Sequence, residues 1–390
     1  MPSILSARRA HETRAVTGRP LLGVTLLVSG GLGLTILLAQ GSAGYDWTLN
    51  YYPTTAAYLA GQTRLYDEGM NTEFYYPPWA LLALLPFTVF GDALGLTLLR
   101  LASVGVLGFV AAALAPHGPL RPLTIALAVA SVYTVDMLSL GQLVAWVALG
   151  VWLAWWGGER HKPWAVVAGL ALMGLKPQIT ALTGIAVATQ VLSWTRRSQI
   201  QVVAGLAAVL LLSAALSGLD WPVRWWAYVK TAGPPAEPVM SIYRMGIPLA
   251  VPTILAMGFL TWFVSRLARH GPTRSILLVA VAAGCALSPY VHDYDLPLVM
   301  ALVWPALAVH ATPFAAAAYL LHPLYYLGLP LAGGAPWLPP LVMGLLLSGT
   351  LWHHLSGENQ ERETHQGDQA EKPKHLPAGD KVEGHGVGPL

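Results

Sequence analysis

The chain has 390 residues, of which 55% are hydrophobic and 11% charged, with a formal net charge of +3. Water-soluble domains carry about 25% charge, so the composition excludes an ordinary soluble enzyme and indicates a multi-pass membrane protein. No basic stripe runs along the sequence, which excludes a nucleic-acid partner, and the single cysteine, Cys285, excludes an intrachain disulfide.

Residues 1–19 carry Arg8, Arg9, Arg14 and Arg19 ahead of an apolar run from Pro20 to Gln40. That run is about 20 residues, longer than the roughly 7–15 of a signal-peptide core. It reads as an uncleaved first span behind a basic cytoplasmic N-terminus.

A first outer loop follows at 41–91. Its stretch from Gly44 to Trp79, GYDWTLNYYPTTAAYLAGQTRLYDEGMNTEFYYPPW, holds Asp46, Arg64, Asp67, Glu68 and Glu73 among many aromatic residues. Asp46 is a candidate general base, since a carboxylate there need only reach an acceptor hydroxyl and stay ionised. It is equally a candidate cap for a helix from Trp47 to Gly61. Asn50 to Leu59 place apolar and aromatic residues at helical spacing, as in a helix lying in the interface. Tyr45, Tyr51, Tyr66, Tyr75 and Tyr76 are candidate sugar or acceptor contacts, against the alternative of aromatic anchors in the headgroup belt. Pro77-Pro78 opens a helix, and the run 77–90 has only 14 residues with Pro86 inside it. Runs of about 10–14 lie in the interface or re-enter more often than they cross.

Further spans are expected at 92–114, 122–140, 142–157, 163–175, 177–194, 200–219, 246–264, 275–290, 296–310, 313–329 and 336–354, about 12 with the first. If 77–90 does not cross, the loops at His117/Arg121, Glu159 to Lys162, Arg196/Arg197 and Arg266 to Arg274 all fall on the cytoplasmic side, as the positive-inside rule requires. The expected fold is then an all-α polytopic domain over 20–355. It carries an amphipathic first outer loop, a second larger outer loop at 220–245, and a disordered cytoplasmic tail at 356–390 that has no aromatic residue.

This topology sends the polar groups of the apolar region to one face. Intramembrane polar groups mark sites or pathways. Asp136 and Gln142 flank Gly141; Gln142 is either a ligand contact or a buried structural hydrogen-bonder. Lys176-Pro177-Gln178 interrupts an apolar run, so Lys176 either meets an anion such as a phosphate or snorkels from a helix end. The 220–245 loop mixes tryptophans with Arg224, Lys230 and Arg244, and suits either a lipid phosphate or a helix resting on headgroups. His292-Asp293-Tyr294-Asp295 sits between two spans. His292 could act as a base there or hydrogen-bond a sugar hydroxyl, or join Asp293 and Asp295 on a divalent cation.

The motifs GYDW, YLAGQTRLYD, FYYPPWALLALLP, LSLGQ, LMGLKPQ and SPYVHDYDLPLV, in this order over about residues 40–300, resemble the family 87 glycosyltransferases. These are multi-span GT-C enzymes related to polyprenyl-phosphomannose-dependent mannosyltransferases. The resemblance implies a GT-C-like bundle, a polyprenyl-phosphate sugar donor and transfer at the outer face of the plasma membrane. It implies Asp46 as catalytic base, His292 as the outer histidine and Lys176 as the lysine of the KPQ segment. The resulting expectation is a hexosyltransferase that moves a mannose-like sugar to a glycan or glycolipid acceptor. Lys176 and Arg244 would hold the donor phosphate, and Asp136, Gln142, Gln178 and Asp293 would complete the sugar and acceptor contacts. Neither a metal nor a cofactor is required, because the leaving group carries a single phosphate. The alternatives are a flippase or transporter of a lipid-linked sugar, and a glycan polymerase or ligase using a diphosphate-linked donor.

Overall fold

The computed structural model describes residues 44–62, 64–66, 74–119, 121–231, 250–288, 290–310, 313, 317, 341–352 and 354–356. Among them every regular element is helical. Asp67, Glu68, Glu73, Arg244, the first span at 20–40, nearly all of 313–329 and the tail beyond 356 lie outside the described residues.

The chain enters through α1, a π-helical turn over Trp47–Tyr51 that runs directly into α2 (Tyr52–Leu59). After the loop comes α3 (Ala80–Thr88) with Pro86 inside it. At about 1.5 Å per residue this helix is far too short to cross a bilayer of about 30 Å. It lies alongside α1 and α2: the Tyr51 hydroxyl donates to Tyr76 just before α3, and Thr55 and Thr88 share a hydrogen bond of 2.7 Å near its end. The chain then enters α4 (Asp92–Leu114) beside the start of α1, since the Trp47 indole N–H donates to the Asp92 carbonyl at 2.9 Å.

Three described helices are long and apolar enough to cross a membrane: α4, α10 (Arg196–Ser217) and α12 (Ala250–His270). A fourth crossing is available if α5 (Arg121–Val129) and α6 (Val132–Leu140) form one broken span. The sequence reads 122–140 as a single span, but the two halves are bent by 44°. Ser131 is the reason: its backbone is extended, and its hydroxyl accepts from the Thr134 N–H, so it starts a new helix. The expected span 296–310 is likewise two short helices, α14 (Pro297–Leu302) and α15 (Trp304–His310). Pro305 in the first turn of α15 has no backbone N–H to carry the helical ladder back into α14.

Between these lie α7 (Val144–Glu159), α8 (Pro163–Met173), α9 (Pro177–Leu192), α11 (Trp221–Thr231) and α13 (Arg274–Leu287). The α7–α8 hairpin is the tightest pair. A side chain at Gly150 would come within 2.8 Å of the Gly169 carbonyl oxygen, so the two backbones touch where small residues face each other. α13 is apolar on every side and buried from Ile276 to Ala286, as a central helix must be. α10 and α12 sit outside it and present Val203, Leu210, Leu211, Ile254, Leu255 and Met257 outward, a surface suited to lipid.

At one end of the bundle, arginines hold the terminus of α4: Arg121 donates to the Ala112 carbonyl at 2.7 Å and Arg274 to the Leu114 carbonyl at 2.6 Å. Cations there satisfy carbonyls that the helix leaves open and complement its dipole. The opposite end carries the cavity.

Candidate functional site

A cavity of about 550 Å³ opens at the end of the bundle where α4 begins. Six separate stretches of chain line it: Tyr45, Asp46 and Tyr51; Tyr75 to Pro77; Leu140 and Gln142; Leu175 to Gln178; Trp225 and Val229; and Tyr290, His292 and Tyr294. Asp46, Lys176 and His292, far apart in sequence, therefore face one space. Its walls are mainly aromatic with a few convergent polar groups, the usual character of a small-molecule site.

Asp46 does not cap a helix. Its own backbone is helical and its side chain makes no cap bond. The carboxylate instead accepts from the Gln142 amide at 2.5 Å through Oδ2 and from Asn50 at 3.4 Å through Oδ1. Gln142 lies in the turn between α6 and α7, and its Oε1 accepts from the Tyr76 hydroxyl at 3.0 Å. The turn is fixed by Gly141, whose φ of 79° is left-handed and whose missing side chain would lie 2.7 Å from the Trp47 Cβ.

Lys176 occupies the break between α8 and α9, where Pro177 restarts the helix. It does not snorkel. Its side chain is 7% exposed, its ammonium donates to Asp295 at 2.5 Å, and it stands 4.6 Å over the Tyr294 ring. Burial works against the charged ammonium. The Asp295 carboxylate, with Tyr76, more than offsets this and holds the group above its ordinary value.

Asp295 is wholly buried and its second oxygen accepts from the His292 backbone N–H at 3.0 Å. The acid thus ties the His292 turn to the Lys176 break. The imidazole of His292 is stacked on Tyr294 at 4.8 Å and meets Tyr290 edge-on at 4.7 Å, which fixes the plane of the ring. Burial pushes the Tyr290 phenol up to about 12.

The remaining expected contacts divide. Tyr45, Tyr51, Tyr75, Tyr76 and Gln178 line the cavity. Tyr66 does not: its buried hydroxyl donates to the Tyr76 carbonyl at 2.5 Å and its ring packs on Tyr228 behind the wall. Asp136 and Asp293 also lie off the lining, hydrogen-bonded to each other through their carboxyl groups. With Asp295 held by Lys176 and Asp293 by Asp136, the His292 turn offers no three-ligand cluster, and among the described residues no group of three His, Cys, Asp or Glu is placed to hold a metal.

α11 closes the cavity on one side. Trp225 and Val229 face it, the Trp225 indole donates to the Tyr75 carbonyl at 2.8 Å, and Arg224 reaches the Leu65 carbonyl at 3.0 Å. The other face of α11 exposes Val223 and Trp226, and Lys230 lies 5.0 Å over the Trp226 ring. One helix is thus both a pocket wall and an amphipathic surface.

Two residues of consequence escape a linear reading. Asp295 is one of two acids in the same turn, and nothing local separates it from Asp293. Arg100 lies two turns into α4, where an arginine is costly in apolar surroundings. It is 4% exposed and donates to the Leu138 carbonyl at 2.7 Å and the Ser139 carbonyl at 3.3 Å. It therefore braces the end of α6 immediately before Gly141-Gln142. A charged residue inside an apolar run was the signal that could have found it. Comparison of the chain with protein-family models, with curated proteins and with solved structures finds no match.

Proposed function

We propose that this protein is a membrane hexosyltransferase of GT-C-like architecture, a bundle of about 12 transmembrane helices as in family 87 glycosyltransferases. Its donor is a polyprenyl-phosphate sugar, its acceptor a hydroxyl of a glycan or glycolipid, and its cavity opens at the outer face of the plasma membrane. The observation that carries the reading is the shared cavity, in which a carboxylate, an ammonium and an imidazole face one aromatic-walled space.

In this reading Asp46 accepts the proton of the acceptor hydroxyl as its oxygen bonds to the anomeric carbon. The bond from that carbon to the phosphate oxygen breaks, and its electron pair leaves with the polyprenyl phosphate. Lys176 has three N–H donors, of which one is committed to Asp295. A donor phosphate would take another, and a fixed cation stabilises developing negative charge most where bulk water is excluded. His292, held flat against Tyr294, would orient the acceptor. Attack from the face opposite the phosphate gives inversion at the anomeric carbon. Tyr45, Tyr51, Tyr75, Tyr76 and Trp225 supply the rings against which a sugar packs.

The test is sugar transfer in proteoliposomes from a polyprenyl-phosphate hexose, comparing the wild type with Asp46→Asn. Loss of a general base is expected to lower turnover by about 10²–10⁴-fold. Turnover at the wild-type rate in a normally inserted variant would remove Asp46 from the chemistry, and with it the reading.

A further inference from the structure

The amide of Gln142 faces the cavity together with Asp46, and a polar amide in a pocket is usually taken for a ligand contact. The bonds around it point elsewhere. The Tyr76 hydroxyl donates to Gln142 Oε1 at 3.0 Å and accepts from the Tyr51 hydroxyl at 3.2 Å. Burial pushes both phenols above their ordinary value, so both keep their protons. A protonated Tyr76 turned toward Gln142 needs an acceptor, and the amide has only its oxygen to offer. That choice directs Nε2 away from Tyr76 and onto Asp46 Oδ2, 2.5 Å away. The backbone is fixed as firmly as the side chain. Arg100 holds the carbonyls of Leu138 and Ser139, the Gln142 N–H donates to the Met137 carbonyl at 3.0 Å, and Gly141 lies flush against Trp47 beside Asp46.

We propose that Gln142 is a positioning residue for Asp46, whose amide is aimed by the Tyr51–Tyr76 hydroxyl pair so that Oδ2 of the carboxylate is held and its plane is set within the cavity. This deepens the catalytic reading of Asp46 and rests on it for its meaning, but the clamp itself can be tested without substrate. An N–H donor to a carboxylate favours its ionised form. Tyr51, Tyr76, Tyr294 and Asp136 also interact electrostatically with Asp46, Lys176 and His292 face it across the cavity, and Gln142→Leu alters none of these side chains chemically.

The experiment follows modification of Asp46 by a water-soluble carbodiimide across pH, read by mass spectrometry in the full-length detergent-solubilised protein. Gln142→Leu is expected to raise the labelling midpoint by about one pH unit, the size expected for one lost charge-assisted bond. Tyr76→Phe keeps the ring and removes only the hydroxyl that aims the amide; it is expected to move the midpoint in the same direction by less, and it serves if Gln142→Leu fails to fold. In transfer assays Gln142→Leu is expected to lower kcat roughly 10–100-fold with donor KM little changed, and to move the acid limb of the rate profile with the labelling midpoint. An unshifted Asp46 midpoint in a folded Gln142→Leu or Tyr76→Phe protein overturns the proposal. A rise in donor KM at constant kcat also overturns it, because it makes Gln142 a ligand contact. Shifted labelling in a protein whose wild type transfers no sugar upholds the clamp and removes the hexosyltransferase reading instead.

Discussion

The pairing of Lys176 with Asp295 makes a sharp energetic prediction. The two charges stand 2.5 Å apart, with side chains 7% and 0% exposed. With an effective dielectric constant near 20, their attraction is about 7 kcal/mol. Removing both ions from water costs several kcal/mol each, so the intact pair is worth little net. Breaking it is another matter, because a lone buried charge keeps its desolvation cost and loses its partner. Asp295→Asn is expected to destabilise the protein by about 3–5 kcal/mol, and Lys176→Met by a similar amount. The double variant Lys176→Met/Asp295→Leu is expected to recover most of this, which gives a coupling energy of about 3 kcal/mol or more. The assay is unfolding of the purified protein in mixed micelles by increasing sodium dodecyl sulfate, with the four proteins of the cycle compared. Because the Lys176 ammonium is held above its ordinary value, its contribution is fully present below an unfolded-chain value of about 10.4 and is lost only as pH rises through the higher folded one. The intact pair should therefore contribute equally at about pH 7 and about pH 9. Additive single variants, or an Asp295→Asn protein within about 1 kcal/mol of wild type, would refute the reasoning.

Three further outcomes are expected. Gly141→Ala forces a side chain into a left-handed backbone at φ 79° and to within 2.7 Å of the Trp47 Cβ. The backbone alone costs about 1–2 kcal/mol, so the same unfolding assay should show at least that loss, and a neutral Gly141→Ala would contradict the fit of this turn. Arg100→Met leaves the Leu138 and Ser139 carbonyls without their donor and is expected to cost about 1–3 kcal/mol; a wild-type unfolding midpoint would mean that the α6 terminus needs no brace. The cavity phenols predict an alkaline limit. Burial pushes Tyr290 up to about 12 and raises Tyr51 and Tyr76, so the folded chain keeps protons that the unfolded chain releases near pH 10. Stability then falls as pH rises from about 10 towards 12. Tyrosinate absorbance that grows in step with unfolding is the expected signal, whereas full ionisation of a folded protein would count against buried phenols.

Composition alone points to a membrane protein, because so low a charge and so high an apolar content do not suit a soluble domain, and three described helices are long and apolar enough to cross a bilayer. Proline and lysine locate the break at Lys176-Pro177, and the length of the apolar run gives the bounds of α4 as Asp92–Leu114. That 77–90 yields only a short helix, α3 at Ala80–Thr88, also follows from local chemistry, since a 14-residue run with an internal proline is short for a crossing. Where the reading fails locally, a short signal was outweighed by apolar length. Ser131 divides 122–140 and Pro305 divides 296–310, though hydropathy runs on through both. What tertiary structure alone decides is partnership. Asp46 looks like a helix cap from its neighbours, and becomes a held carboxylate only when a glutamine 96 residues away reaches it. Lys176 reads as meeting an anion or snorkelling to water, and only the fold shows that an acid 119 residues away takes one of its donors. Apolar periodicity fixes which residues must leave water, but the cost of burying a charge is met by whichever opposite group the fold brings near, and no local pattern in the chain encodes that meeting.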